Sequence, residues 1–239
     1  MLARPRSIIT QRWHLAAPLA LALLALSATP AHSQNASPAT CGELRTPGAY
    51  GPFDYRKAAK QQLEIVESHH FDAGVESLTR GMTGPYGGDI AYTLRAFPNH
   101  HRALAAMQRL AEKEKRDPPL DAKLPVECYF ERALRFQPED TVARMLYASF
   151  LVSKKRNDEA VRQLESTRAI AGDNGFTHYN IGLIYFDMKD YEHALAQAHR
   201  AVELGFTRTD LKDKLVAVGK WAEPRSEAEP AASAASAAP

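Results

Sequence analysis

Residues 175–208 read GFTHYNIGLIYFDMKDYEHALAQAHRAVELGFTR, and their spacing decides the fold. Tyr179, Leu183 and Phe186 recur at helical intervals, as do Ile181, Gly182 and Tyr185. Ala194, Leu195, Ala198, Ala201, Val202 and Leu204 form a second apolar stripe. Between the stripes, Met188-Lys189-Asp190-Tyr191 has room only for a turn. Asp190 is placed to cap the second helix by accepting a backbone N–H bond. Two helices joined this tightly lie antiparallel. Where they cross, close approach needs small side chains, and Gly182, Ala194 and Ala201 supply them. Gly205 follows Leu204 and can take the left-handed conformation that ends a helix.

On these residues the stretch resembles a tetratricopeptide repeat, a helix–turn–helix unit of about 34 residues. Gly182, Ala194 and Ala201 stand where the family carries small residues, and Ile181 and Tyr185 where it carries apolar ones. Ala198 fills a further apolar place with a smaller group, His178 replaces an aromatic and Phe206 replaces a proline. Residues 141–174 resemble a weaker second copy. Ala148, Leu151, Ala160 and Leu164 match there, Thr167 replaces a small residue, and Arg156-Asn157-Asp158 makes the turn. ERALRFQPED, residues 131–140, resembles the second half of another copy. Before that the likeness fades. Residues 55–88, framed on Gly74, Leu78 and Gly81, are either a degenerate repeat or a generic capping hairpin.

The expected fold class is therefore all-α: antiparallel helical hairpins stacked as a short solenoid. The expected pairs are 54–68 with 72–81, 101–115 with 125–136, 141–154 with 158–170, and 175–188 with 191–204. Residues 89–97, DIAYTLRAF, are expected as an insertion within a loop, because counting them as a full helix puts the alternation out of step at residue 141. A capping helix over 207–221 turns Leu211, Leu215, Val216 and Val218 inward, with Trp221 at its edge, since a stack must close its last apolar face. Residues 222–239 hold no bulky apolar group and cannot bury a core.

Ahead of the helices, residues 1–33 read as an export signal. Arg4, Arg6 and Arg12 precede the apolar run Leu15–Ala28, which is short for a membrane span. Cleavage after Ala31 or Ser33 leaves no stable membrane insertion; the alternative is an uncleaved anchor. The destination is periplasmic or secreted. Residues 34–53 are rich in proline and glycine and form an irregular lead-in, followed by an N-terminal helical region over 54–140 and the two clearer repeats with their cap over 141–221. Only Cys41 and Cys128 are present. In an oxidising compartment they can pair, closing a loop that stabilises the fold by roughly 4–5 kcal/mol and pins the lead-in; otherwise they are two thiols.

The formal net charge of +2 and the lack of a lysine–arginine stripe argue against nucleic acid. No nucleophile elbow, phosphate-cradling glycine loop or zinc-protease helix motif is found, so no catalytic residue, metal or cofactor is expected. The pairs His69-His70 and His100-His101 cannot chelate locally, because adjacent helical side chains diverge by about 100°. What the resemblance implies is a concave surface lined by the first helix of each repeat, taking a protein or peptide partner. Here that groove would hold Met145, Ser149 and Val152 from one repeat and Tyr179, Leu183 and Phe186 from the next, with Ala148, Ala160, Gly182, Ala194 and Ala201 packing the repeats. Tyr179, Leu183 and Phe186 can equally be core between repeats. Three readings stay open: an adaptor using this groove, a structural subunit of an envelope assembly held elsewhere, and a small-ligand or metal-binding protein using the histidines.

Overall fold

A computed structural model describes residues 41–224. The expected export signal and most of the 222–239 tail lie outside them. The described residues form ten helices and no strand: α1 (Lys60–His70), α2 (Ala73–Glu76), α3 (Tyr86–Ala96), α4 (His101–Glu114), α5 (Val126–Phe136), α6 (Thr141–Ser153), α7 (Asn157–Ala171), α8 (Gly175–Asp187), α9 (Tyr191–Glu203) and α10 (Asp210–Ala217). The chain is thus all-α over this range.

Three of these helices open and close alike. The side chains of His100, Asp140 and Asn174 cap α4, α6 and α8 by accepting from Ala103, Ala143 and Thr177 N–H groups. Each helix ends on a lysine with positive φ, namely Lys115, Lys155 and Lys189. The following N–H then reaches back to Ala111, Leu151 and Tyr185 carbonyls at 3.2, 2.9 and 3.0 Å. This is the closing turn in which a left-handed residue lets the chain satisfy otherwise orphan carbonyls. From cap to left-handed residue the interval is the same in all three. Asp190 then caps α9 by accepting from the His193 N–H, as the sequence predicts.

The packing follows chain order. α6 lies on α7 and α8 on α9, while α6 also touches α4, α5 and α8, and α10 closes against α8 and α9. One core runs through them, with Leu104, Met107, Leu110, Phe130, Leu151, Leu164, Ile181 and Tyr185 almost wholly buried. The small residues read from the sequence sit in it. Ala148, Ala160 and Ala194 are fully buried and Ala201 nearly so. A Cβ on Gly182 would stand 2.5 Å from a Leu211 methyl and 3.3 Å from the Ala194 carbonyl, so its smallness seats both α9 and α10.

The N-terminal part departs from the expected pairing. α1 packs on α3, not on 72–81, and α3 is a member of the body, packed on α4 with Ile90 and Leu94 in the core. It is not a loop insertion. The 72–81 segment holds only the short α2, because the Ser77 hydroxyl bonds back to the Ala73 carbonyl and the Thr79 N–H and hydroxyl to the Gly74 carbonyl, so the chain turns at Leu78 with φ 57°. α1 starts at Lys60 instead of near Asp54, since Asp54 and Tyr55 are spent on bonds to Asn99. In α10, Leu211 and Leu215 are buried as expected, but Val216 and, just past the helix end, Val218 are 54% and 42% exposed: α10 is short and turns only one stripe inward.

The lead-in is fastened at three points. Cys41 and Cys128 form a disulfide with Cα atoms 5.0 Å apart. Arg132 donates to the carbonyls of Cys41, Gly42 and Glu43. The Phe53 N–H donates to the Ala96 carbonyl at 2.9 Å, beside Gly51, where φ is +93° and a Cβ would strike that same carbonyl.

Candidate functional site

The six groove residues fall on two helices that pack together, α6 and α8, but they are not equally available. Met145 and Tyr179 are 6% and 4% exposed. Tyr179 donates its hydroxyl to Asp210 at 3.0 Å, and its ring lies 4.9 Å from Phe206 and under the Arg208 guanidinium. Both residues therefore belong to the core, and the expectation that they line an open groove is corrected: α10 and its approach cover Tyr179. Ser149, Val152, Leu183 and Phe186 remain half-buried. Phe186 packs against Tyr191 with ring centroids 5.4 Å apart, and the Lys214 ammonium lies 5.4 Å from its ring. Phe176, which the sequence reading passed over, is 49% exposed and packs edge-on to Phe206. The signal for it was present, since Phe176 precedes Leu183 by two helical turns and shares its stripe. The open surface is thus Phe176, Leu183 and Phe186 on α8, with Ser149 and Val152 on α6.

The described histidines form no common site. His100 accepts from the Ala103 N–H at Nδ1, so Nε2 carries the proton and donates to Glu67 at 2.9 Å. His101 turns the other way, to Asp140 at 2.9 Å, and the Tyr55 ring lies tilted against His100 with centroids 4.1 Å apart. His70 bonds to the buried Asp89, which also accepts from the N–H groups of Met82 and Thr83. His69 bonds to Ser68 and the Ile65 carbonyl. Among the described residues no three histidine, cysteine or acidic side chains are grouped to hold a metal. No described helix is long and apolar enough to cross a membrane.

These pairs make the fold sensitive to acid in two steps. Burial lowers the His100 pKa below its ordinary 6.5, against the pull of Glu67 and with the charge of Arg102 and His101 adding to it. Below about pH 6.5 the unfolded chain takes up a proton there that the folded chain refuses, so stability falls. The carboxyls follow at lower pH. A bond from His100 lowers Glu67. Burial would raise Asp54, but bonds from Arg56 and Asn99 outweigh it and bring it to about 2. Their stabilising contribution is present above the ordinary carboxyl range and is lost as the pH drops through the lowered values. Urea midpoints should stay level from about pH 8 to 7, decline once the pH passes below about 6.5 and drop more steeply through the carboxyl range. His100→Gln should flatten the first decline and leave the second; a first decline that survives in that variant would assign it to another group.

Compared with protein-family models, with curated proteins and with solved structures, the chain matches none of them.

Proposed function

We propose that this chain is an exported, non-enzymatic adaptor of tetratricopeptide-like build that binds a protein partner on its α6–α8 face. The observation that carries the reading is the recurrence of one helix unit, cap to closing turn, at Asp140–Lys155 and Asn174–Lys189. The two copies are about 34 residues apart, the period of that repeat family. The α4 unit stands further off because the segment joining it to α5 is longer. In such a stack α4, α6 and α8 are first helices, α5, α7 and α9 second helices, and α10 the cap. Export rests on the apolar run Leu15–Ala28 behind its arginines, and the Cys41–Cys128 disulfide accords with an oxidising destination such as the periplasm. The surface offered by Phe176, Leu183 and Phe186 suits an apolar or mixed segment of a partner and not nucleic acid.

The test is crosslinking in the intact envelope of a bacterial host, with the full chain expressed from its own signal. Phe176→Glu combined with Leu183→Gln alters the face without touching the buried Tyr179. Val216→Glu, on an exposed part of α10, is the control. A discrete protein captured by the wild type and by the control, and lost from the face variant, is the expected result. Capture that survives the face variant would move the interface elsewhere and sink this assignment.

A further inference from the structure

His100 is a fully buried hub at the N-terminal end. Its ring meets Tyr55 from the chain ahead of α1, Phe71 just past α1 and Phe97 just past α3, with centroids 4.1, 4.9 and 6.3 Å away. Both of its nitrogens are committed. Nδ1 accepts the Ala103 N–H at 3.2 Å, which caps α4, and Nε2 donates to Glu67 on α1. An imidazolium has two donors and no acceptor. A second proton on His100 therefore sets a donor against the Ala103 N–H and removes the bond that seats the ring on α4. The charged and titratable groups around it are Glu67 on α1, Glu76 on α2, His101 and Arg102 on α4 and the Tyr55 hydroxyl.

Three other histidines answer a proton differently. His178, buried on α8, faces oxygens at both nitrogens, Gln197 Oε1 at 2.7 Å and the Gly172 carbonyl at 2.9 Å, so a second proton there has an acceptor waiting. His101 and His70 lie against the carboxylates of Asp140 and Asp89, where added positive charge strengthens the contact. Acid thus works against the seat of His100 and not against these.

Beyond the ring itself, residues 72–78 lie across the outer side of α4. Arg102 donates to the Glu76 carboxylate, Arg109 to the Glu76 carbonyl at 2.9 Å and Lys113 to the Leu78 carbonyl at 2.6 Å. Arg102 and Arg109 follow the His100 cap at the same intervals at which Phe176 and Leu183 follow the Asn174 cap, so this section occupies on α4 the stripe that stands open on α8. We propose that protonation of His100 is a switch that loosens residues 54–80 from α4 while α6–α9 stay folded, and so extends the open face onto α4. The section stays tethered, by the Phe53 N–H on the Ala96 carbonyl before it and by α3 after it. The loosening is independent of the partner reading; what the freed stripe serves rests on that reading.

Amide hydrogen exchange of the purified full chain, read by mass spectrometry and corrected for its intrinsic pH dependence, tests the switch. Burial holds the seated ring's pKa below 6.5, whereas a loosened ring titrates near that value. Protection over residues 54–80 should therefore fall between about pH 7.5 and about pH 5.5, by at most about tenfold for one proton. At each pH it should stand at least about tenfold below that of residues 141–204, since a local opening needs less than global unfolding. His100→Gln, which offers an acceptor and a donor without a titrating ring, should abolish the fall. Glu67→Gln should leave it as steep or steeper, because that carboxylate draws a proton onto the seated ring, and this variant carries the test if His100→Gln does not fold. Protection that ignores pH, protection equal to that of residues 141–204, a fall that survives in His100→Gln, or a fall that becomes shallower in Glu67→Gln would each overturn the proposal.

Discussion

Replacing both Cys41 and Cys128 by serine should lower the stability of the chain by about 4 kcal/mol and its melting temperature by roughly 10 °C. The two residues are 87 apart in sequence, so the bond removes the entropy of a long loop from the unfolded chain. A second effect works in the folded state. The buried Arg132 has the carbonyls of Cys41, Gly42 and Glu43 as acceptors, at 3.1, 3.3 and 2.7 Å, and Arg135 donates to the Gly42 carbonyl at 2.7 Å. Once the bond is gone, any swing of residues 41–43 away from α5 strips acceptors from a buried cation, which adds to the loss. Urea unfolding of the double variant, and of the wild type with and without dithiothreitol, measures the effect. Reduction of the wild type should reproduce the variant. A loss below about 1 kcal/mol in both would mean that the bond does not constrain the unfolded chain.

That pairing was legible in the sequence only because the chain has two cysteines and an N-terminal stretch that reads as an export signal; nothing local placed Cys41 against α5. The helices over 141–204 were legible for a stronger reason. Apolar spacing, the capping Asp190 and the small residues at the crossing are all local signals, and the structure puts Ala148, Ala160, Gly182, Ala194 and Ala201 in the interior. Tyr179 shows where such signals stop. Periodicity tells which residues share a stripe, so it grouped Tyr179 with Leu183 and Phe186. It does not tell which part of the stripe another element covers, and here Phe206 and Asp210 cover Tyr179. At the N-terminal end the misreading was of rank. DIAYTLRAF was expected as an insertion because the count of hairpins seemed to require it, while Asp89 inside it is in fact a buried acceptor for His70 and Thr83.

Asp140→Ala should cost about 3–5 kcal/mol, several times the cost of Asp190→Ala, although both residues are helix caps of the same type. The difference lies in what else each carboxylate does. Asp190 is half-buried and bonds the N–H and the ring of His193 alone. Asp140 is 1% exposed and accepts from the Val142 and Ala143 N–H groups, from Asn99 at 2.8 Å and from His101 at 2.9 Å, with Arg56 Nε at 3.4 Å. Asn99 is itself fully buried and holds Asp54 and the Tyr55 N–H, so Asp140 joins α6 to the start of α4 and to the chain ahead of α1. Removing a cap costs about 1 kcal/mol. Removing the acceptor of a buried network leaves donors unpaired, and each costs about 1–3 kcal/mol more. Asp140→Asn keeps an acceptor oxygen and should fall between the wild type and alanine. The pH dependence separates this account from a packing defect. Burial would raise the Asp140 carboxyl, but bonds from His101, the Ala143 N–H and Asn99 hold it below its ordinary value of 3.8. Its contribution is therefore full above the ordinary carboxyl range and disappears as the pH falls through the lowered value, so the gap between wild type and Asp140→Ala should close in acid. A gap of the same size at every pH, or no larger than that of Asp190→Ala, would mean that the network contributes no more than a cap.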